Sequence, residues 1–460
     1  MILTEKKDRN KILKVLFIGV LMGALDIAIV GPALPAIQKQ FGIDERSIAW
    51  IFAVYVLFNL IGTPLMAKLS DIISRRRIYI LDVLLFAVGS LVVALSPNFT
   101  SLLIGRSIQG FGSGGIFPVA SAVIGDTFPE DKRGSALGLI GAVFGIAFII
   151  GPAIAGVLLL LSWHWLFIVN IPVAVVIIFL SLKSLPENIP AHNKPFDWSG
   201  MILLIVVLAA LSYGFNRIDS ANFINSLLSL NVWPFILIPV ILLPFFIRRE
   251  NKASDPVIRV QLFTSRQVIL VIFIALGAGV SEAAVVFIPP MLVSIFGVTS
   301  SQASFMLLPI VLAMAIGAPL AGRLLDKIGS KVVLIAGSVI LSLGMFGLAF
   351  ESNILLSFYI SASLLGIGMG FLLGAPLRYI MLNESKRSER AAGQGSVALF
   401  TGIGQLFGGA LVGAIASSEG GGTAGFQYAY MLVGLLIASL VIFSLGLKSR
   451  KEELVTLAAE

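Results

Sequence analysis

Three charged side chains, two carboxylates and one guanidinium, lie inside long apolar stretches, where the carboxylates are placed to bind a proton or a cation. Asp26 lies about 18 Å beyond Lys14 along a helix, Arg106 lies near the start of another apolar stretch, and Glu282 lies in the middle of a third. An ionised side chain at the centre of a bilayer costs on the order of 2.5–3.5 kcal/mol on insertion scales, so such residues usually face a partner or a cavity. Asp26 and Glu282 are therefore candidates for carrying a proton or binding a cationic compound.

Asp26 and Arg106 also admit a structural role. A positive side chain inside a helix must pair or reach the membrane surface, and we expect Arg106 to face a cavity. The alternative is that Asp26 hydrogen-bonds to Arg106 or its helix, and that Arg106 holds the first and fourth helices together. This role and proton carriage are compatible. Asp82 lies close to the basic run 75–77, so for it we predict an ion pair at the membrane interface.

A charged turn occurs twice in the chain and divides it into two related halves. Its copies occupy residues 62–77 and 317–331, 255 residues apart. The matches in register join Gly62 with Gly317, Pro64 with Pro319, Leu65 with Leu320, Lys68 with Arg323, Asp71 with Asp326, and Arg76 with Lys331. An apolar helix leads into each copy, so the repeat marks the same kind of membrane loop twice.

Asp71 falls at the C-terminal end of a predicted helix, where the helix dipole disfavours a negative charge. We therefore expect it to have a partner, such as Arg75, Arg76 or the N-terminus of another helix. The alternative is that the basic residues merely fix the orientation of the chain in the membrane, which we prefer for Arg77.

Composition restricts the class of protein. The chain has 460 residues, of which 58% are hydrophobic and 12% charged, and its mean hydropathy is +1.01. A water-soluble core could not bury that much apolar surface, so we predict an integral membrane protein. Cysteine is absent and His164 and His192 are the only histidines, so we expect no cofactor and no metal site. The net charge of +8 comes from residues between apolar segments, which orient the chain in a bilayer, and we expect no nucleic-acid partner.

The apolar segments predict fourteen transmembrane helices, since about 20 residues span the ~30 Å hydrocarbon layer. They lie near 12–38, 47–70, 76–95, 100–125, 134–160, 163–183, 199–216, 231–247, 267–296, 302–326, 331–350, 353–380, 392–417 and 425–447. With both termini and the even-numbered loops in the cytoplasm, that side carries 28 of the 32 Lys and Arg residues. The positive-inside rule therefore predicts cytoplasmic termini.

The repeat pairs the second helix with the tenth, so helices 1–6 match helices 9–14. We predict an all-α integral membrane protein with a six-helix bundle at 1–185, two inserted helices with their flanking loops at 186–265, and a second six-helix bundle at 266–460. We expect a monomer in the lipid bilayer.

The fifth helix carries glycines on one face. They are Gly134, Gly138, Gly141 and Gly145, at steps of four, three and four. Small residues let a neighbouring helix approach closely, and Pro152, directly after Gly151, removes a backbone donor and permits a bend. A packed, bendable helix between the halves would prevent a leak and still allow rocking. Ordinary helix packing is the alternative.

Together these stretches resemble the major facilitator superfamily, specifically its fourteen-helix drug:proton antiporter branch, over nearly the whole chain. The resembling stretches are 25–35, 62–77, 106–112, 145–156, 163–172, 197–200 and 255–256. The first turn departs from the family pattern at Ser74, where glycine is usual, whereas the second keeps Gly329. The resemblance implies the major facilitator fold and a proton-handling role for Arg106 beside Asp26. It also implies that Asp71 latches the halves on the inner side and that 145–156 is an antiporter motif.

We expect a secondary transporter of the cell membrane, whose halves rock about a midplane cavity. It would export a hydrophobic small molecule, cationic compounds included, in exchange for protons. Within transport, the alternative is a lipid or metabolite exporter, or a uniporter without proton coupling. No Walker sequence appears, which argues against ATP as the driving force. A membrane enzyme would need a nucleophile elbow or a histidine cluster, and the sequence has neither, so we expect no enzyme. A receptor would need a cytoplasmic signalling tail, for which the 13 residues after Leu447 are too few.

Overall fold

The computed structural model describes residues 6–187, 197–218, 223–253, 256–351, 353–385, 390–418 and 422–453. His192 and Asp255 lie outside the described residues. The described chain is overwhelmingly helical, as lipid requires, because a helix satisfies its backbone hydrogen bonds within its own segment. The predicted all-α membrane class is confirmed.

Fourteen long helices follow one another through the described residues, and each coincides with a predicted apolar segment. They are α1 (Lys6–Phe41), α2 (Glu45–Ile72), α3 (Arg75–Ala94), α4 (Phe99–Thr127), α5 (Glu130–Leu158), α6 (Trp165–Ser184), α7 (Trp198–Asn216), α8 (Trp233–Lys252), α9 (Arg266–Phe296), α10 (Ser300–Ile328), α11 (Ser330–Glu351), α12 (Leu355–Asn383), α13 (Arg390–Ser418) and α14 (Thr423–Leu445). A short helix, Phe223–Leu227, lies between α7 and α8, and a 3-10 helix, Val260–Thr264, precedes α9.

Four of these helices are interrupted once, and a proline follows each interruption. The interruptions fall at Val169 in α6, Phe287 in α9, Met306 and Leu307 in α10, and Gly374 in α12. The prolines that follow two or three residues later are Pro172, Pro289, Pro309 and Pro376. Because proline lacks the N–H donor and its ring crowds the carbonyl one turn earlier, the regular hydrogen-bond pattern stops there.

Twelve of the helices in the described part of the chain are long and apolar enough to cross a membrane. The other two are α5, whose described apolar part is Gly145–Leu158, and α8, which ends in the charged run 248–252. The chain is therefore a multi-pass membrane protein, but the count of fourteen spans stays a prediction.

The helices group into two compact units. One consists of Met1–Gly42 with Trp50–Met201, and the other of Ile43–Ala49 with Ile202–Glu460. The boundaries predicted for the inserted pair, 186 and 265, stay predictions.

The two units contain equivalent pairs of packed helices. In the first, α3 lies along α4 and α1 along α5; in the second, α11 lies along α12 and α9 along α13. Glycines bring these backbones into contact. A Cβ atom on Gly89 would lie 2.4 Å from the Gln109 nitrogen, and one on Gly279 would lie 1.9 Å from the Thr401 carbonyl oxygen. Small residues give membrane helices this close approach, so they fix the levels at which polar side chains of adjacent helices meet.

Candidate functional site

Asp26 and Arg106 form an ion pair inside the first unit. Asp26 projects from α1 and Arg106 from α4, and both side chains are fully buried. The Arg106 Nη1 atom donates to Asp26 Oδ2 at 2.7 Å. A buried ion pair is stable only when further hydrogen bonds satisfy its remaining polar atoms, and neighbouring side chains supply several of these bonds.

Gln109, one turn after Arg106 on α4, bonds to both charges. Its Nε2 donates to Asp26 Oδ1 at 2.6 Å, and its Oε1 accepts from Arg106 Nη1 at 2.6 Å. The same Nε2 donates to Ser90 Oγ of α3 at 2.9 Å, and Asn170 Nδ2 of α6 donates to that hydroxyl at 3.3 Å. This buried network, formed by Asp26, Ser90, Arg106, Gln109 and Asn170, therefore joins four helices.

A fifth helix, α2, contributes an aromatic face. The Arg106 guanidinium carbon lies 4.1 Å from the centroid of the Tyr55 ring, and Arg106 Nε donates to the Ile51 carbonyl at 3.3 Å. Tyr55 is itself oriented by its hydroxyl, which donates to Ser113 Oγ at 2.7 Å. A desolvated cation–π contact is worth about 2 kcal/mol, so the ring offsets part of the hydration that Arg106 loses.

This arrangement couples the protonation of Asp26 to the charge of Arg106. A neutral Asp26 leaves the Arg106 charge without its counter-ion, and an uncompensated charge in a buried pair costs about 3–5 kcal/mol. Proton uptake thus favours any rearrangement that gives Arg106 another partner or water. Protonation of Asp26 would therefore change the charge balance of a network that joins α1, α3, α4 and α6.

Glu282 lies on α9 in the second unit, and its side chain is partly buried. Its Oε2 accepts a hydrogen bond from Gln405 Nε2 of α13 at 2.7 Å. Arg378 of α12 is near enough to attract the carboxylate. Because its direct partner is a neutral amide, the Glu282 carboxylate can take a proton or a cation without first breaking an ion pair of the kind that holds Asp26.

The first charged turn ties α2 to α4 through Arg75. Asp71 pairs with Arg75, one of its predicted partners. Arg75 also donates through Nε to Asp126 at 3.0 Å and through Nη1 to Ser70 Oγ at 2.7 Å. The ends of three helices, α2, α3 and α4, are therefore joined by one guanidinium.

Arg76 and Arg77 share a different partner, Glu187, beyond the end of α6. Glu187 Oε2 accepts from Arg76 Nη2 and its Oε1 from Arg77 Nη2, each at 2.8 Å. The hydrogen bond from Arg77 and the charge of Arg76 lower the pKa of Glu187 below its usual range. The pairing is thus complete above the ordinary glutamate pKa and is lost as pH falls through the lowered one. Arg77 and Glu187 are exposed and Arg76 is only partly buried, so solvent screens the pair and the stabilisation is small.

Residues after α14 hold the second turn. Arg450 donates through Nη2 to the backbone carbonyl of Asp326 at 2.9 Å and through Nη1 to the Tyr379 hydroxyl at 3.1 Å. Glu453 accepts from the Ser330 nitrogen at 3.1 Å. In the first turn the Asp71 side chain pairs with Arg75, whereas in the second the Asp326 backbone carbonyl accepts from Arg450.

One sequence difference between the turns has a backbone cause. Gly329 has a φ of 87°, in the left-handed region that favours glycine. Ser74, at the equivalent position, has a φ of 179°, an extended backbone that any residue adopts. The first turn therefore accepts serine where the second requires glycine.

Gly145, Gly151 and Pro152 lie on α5, and they differ in their surroundings. A Cβ atom on Gly151 would lie 2.5 Å from Ala28 Cβ of α1, whereas nothing lies within 4 Å of the equivalent point at Gly145. The helix continues through Pro152 without a break. Gly151 thus sets the close approach of α5 to the helix that carries Asp26, and Gly145 has open space beside it. The side chains at 134, 138 and 141 lie outside the described set.

The interfacial ion pair predicted for Asp82 is wrong. Asp82 is fully buried, and neither carboxyl oxygen has a hydrogen-bond partner among the described residues. It lies about two helical turns inward from Arg75, on the face of α3 that packs against α4. The nearby arginines bond to Asp71, Asp126 and Glu187 instead.

Several residues of these sites have no role that the sequence predicts. Ser90, Gln109, Asn170 and Gln405 are polar residues within apolar helices, and the cost of burying an unpaired polar group gives each a weak signal. Glu187 gives no such signal in the sequence, because glutamate is common in polar loops.

Comparisons with known proteins identify the family. A family model described as Major Facilitator Superfamily matches residues 16–280 and 268–459. The uncharacterized MFS-type transporter YfiU of Bacillus subtilis (strain 168) is 35% identical over 87% of this chain and 79% of its own length. The multidrug transporter protein MdtP of the same strain is 30% identical over 91% of this chain and 77% of its own. The riboflavin transporter RibZ of Clostridioides difficile (strain 630) is 28% identical over 79% of each chain.

Solved structures agree at the level of the fold. A crystal structure of a D-xylose-proton symporter has a TM-score of 0.68 at 13% identity, covering 96% of this chain and 98% of that one. The nucleoside transporter NupG has a TM-score of 0.66 at 14% identity, covering 95% and 99%. The family match extends over both halves of the chain, each with its copy of the charged turn. The chain is therefore a multi-pass membrane transporter that belongs to the Major Facilitator Superfamily.

Proposed function

We propose that this transporter exports hydrophobic compounds, cationic drugs among them, in exchange for protons. The observation that carries the proposal is the fully buried Asp26–Arg106 pair. A transporter needs an element whose two states differ in affinity for the driving ion, and a carboxylate that loses its counter-ion on protonation has that property. The similarity to the multidrug transporter MdtP supports drugs as the substrate class. The resemblance of the motifs to the drug:proton antiporter branch supports protons as the coupling ion.

We infer fourteen spans, with α5 and α8 added to the twelve. These helices have 29 and 20 residues, and 20 residues at 1.5 Å each give about 30 Å, the thickness of the hydrocarbon layer. The charges of α8 are gathered at its C-terminal end, where a span leaves the membrane. Fourteen spans also keep most Lys and Arg residues on one side of the cell membrane, which favours cytoplasmic termini. The transporter acts as a monomer of two bundles, 1–185 and 266–460, with helices inserted at 186–265.

In the proposed cycle the two bundles alternate between inward and outward access. Asp26 exchanges a proton, Arg106 responds to its charge, and Glu282 attracts a cationic substrate. The contact of Asp71 with Arg75, the pair of Arg76 with Glu187, and the hydrogen bond of Arg450 to the Asp326 carbonyl latch the inner side and break when it opens. Helix α5 stays packed at Gly151 and bends at Pro152, with free space beside Gly145.

A metabolite exporter is the second candidate, because the riboflavin transporter RibZ is similar over most of both chains. A lipid exporter, or a uniporter without proton coupling, belongs to the same alternative.

A substrate panel tests the proposed class. Purified full-length protein is reconstituted in liposomes with an acidic interior, and uptake is measured for tetraphenylphosphonium, a neutral hydrophobic drug and riboflavin. Uptake of tetraphenylphosphonium that a protonophore stops is the expected result. Uptake of riboflavin alone, or uptake indifferent to the protonophore, would favour the alternative.

Glu282→Gln is expected to weaken transport of cations selectively. Removing the charge eliminates its attraction for tetraphenylphosphonium, for which we expect an increase in Kd of about tenfold, or about 1.4 kcal/mol. The neutral drug should bind as before. Binding is measured by isothermal titration calorimetry, with Glu282→Asp, which keeps the charge, as control. An equal loss for both compounds would mean that Glu282 is structural.

Asp71→Asn is expected to slow or bias the cycle and leave substrate binding intact. Without the charge, the Asp71–Arg75 contact loses its ionic part while the Arg75–Asp126 pair remains. Exchange rate and tetraphenylphosphonium affinity are measured together. Asp8→Asn is the matched control, because it also removes an exposed carboxylate from an ion pair, with Lys11 at 2.9 Å. Lost affinity in Asp71→Asn would place the turn in the substrate site.

A further inference from the structure

A second carboxyl, Asp82, is buried in the first unit outside the network. No hydrogen-bond donor among the described residues reaches either of its oxygens. An ionised carboxylate without a partner is costly inside a membrane protein, and such residues are usually functional. Arg106 compensates the charge of Asp26, but no described cation forms a salt bridge with Asp82. The energetic cost of an ionised Asp82 must therefore be avoided in another way.

The packing of α3 on α4 leaves a space fitted to this side chain. A Cβ atom on Gly115 would lie 2.2 Å from Asp82 Oδ2, and one on Gly112 would lie 2.5 Å from the Asp82 carbonyl oxygen. The two glycines bring the backbones together and leave room for the carboxyl group. From its own helix, Asp82 is faced by the titratable Tyr79, whose hydroxyl donates to the Val15 carbonyl of α1 at 3.4 Å. From α4 it is faced by glycine.

Asp82 lies between two charged sites. Gly89 of α3 packs against the backbone of Gln109, so the network lies at the height of Gly89 along α3. Asp82 lies seven residues before Gly89 and seven residues after Arg75, which is about 10 Å in each direction. Phe86, fully buried one turn after Asp82, lies between it and Ser90. Asp82 thus divides the length of α3 between the network and Arg75 into two nearly equal steps.

We propose that Asp82 is a second proton-binding site, which passes protons between Asp26 and water at the end of α3 that carries Arg75. This inference rests on the proposed exchange of protons at Asp26. The protonated Asp82 releases its proton to that water, and its carboxylate then takes the proton held by Asp26. Each transfer breaks one O–H bond and forms another. In the packing described here about 10 Å along α3 separates Asp82 from the level of the network, which is too far for direct transfer. The transfer therefore belongs to a state in which α3 and α4 have moved apart, and an uncoupled leak is prevented.

Infrared spectroscopy of the purified full-length protein tests the protonation directly. A protonated carboxyl has its own carbonyl-stretch band, and we expect the wild-type spectrum at neutral pH to lose one such band in Asp82→Asn. Asp26→Asn should keep the band assigned to Asp82. An unchanged band in Asp82→Asn would overturn the proposal. Should the asparagine variant fail to fold, Asp82→Glu is decisive: a shifted band supports the assignment and an unshifted band refutes it.

Transport supplies the second readout. We expect Asp82→Asn to slow gradient-driven uptake of tetraphenylphosphonium on the order of 100-fold, the lower range for loss of a positioned proton-transfer group. Exchange of tetraphenylphosphonium at equal pH should be unchanged. Equal slowing of both rates would make Asp82 structural and overturn the proposal. A failure of the proton exchange itself would appear separately, as unchanged gradient-driven uptake in Asp26→Asn.

Discussion

Asp26→Asn is expected to abolish gradient-driven accumulation of substrate. Asparagine is nearly isosteric and its one amide oxygen can still accept a hydrogen bond from Arg106, but its NH2 group replaces the oxygen that accepts from Gln109, and it cannot take up a proton. In everted vesicles with an acidic interior, accumulation of tetraphenylphosphonium should fall to the level of vesicles without the transporter, on the order of 100-fold in initial rate. Downhill exchange at equal pH should persist, because it needs no net proton movement.

Asp26→Glu is the matched control, since it keeps a titratable carboxyl on α1 and should retain part of the accumulation. Accumulation that persists in Asp26→Asn, or in the wild type with a protonophore present, would show that Asp26 does not couple transport to protons. Loss of both accumulation and exchange would assign Asp26 a structural role.

Arg106→Ala is expected to destabilise the first unit by about 3–5 kcal/mol, the usual cost of leaving one member of a buried ion pair uncompensated. The substitution also removes the cation from the Tyr55 ring and a donor from Gln109. A lower midpoint of thermal unfolding in detergent, together with loss of gradient-driven uptake, is the expected result.

A double-mutant cycle separates charge from packing. Arg106→Gln leaves Asp26 uncompensated, whereas Arg106→Gln combined with Asp26→Asn removes both charges. If the pair is held by charge, the double variant is more stable than the sum of the single effects predicts. Additive effects would mean that the side chains contribute independently of one another.

The helices could be predicted because the requirement that lipid imposes is local. A run of apolar residues must satisfy its own backbone wherever it lies, so the positions of α1 to α14 follow from composition. The interruptions do not follow in the same way. Pro289 and Pro376 accompany breaks, whereas Pro64 and Pro152 lie in continuous helices, so a proline in the sequence does not by itself predict an interruption.

The residues of the candidate sites could likewise be predicted where a local requirement determines them, and could not where tertiary packing does. Asp26 and Arg106 could be paired from sequence because two opposite charges inside a membrane have few other partners. Asp82 could not be placed, because its orientation depends on how α3 is rotated against Gly112 and Gly115 of α4. Gln405 and Glu187 lie 123 and about 110 positions from their partners, so their contacts depend on tertiary packing.

The most direct test of the account is the movement of protons during transport. Liposomes containing the purified transporter and a pH-sensitive dye are prepared at equal pH, and tetraphenylphosphonium is added outside with the membrane potential clamped. Exchange of substrate for protons predicts that the interior becomes alkaline in proportion to uptake, and that no pH change accompanies uptake by Asp26→Asn. Substrate uptake without proton movement in the wild type, or equal proton movement in Asp26→Asn, would contradict the account.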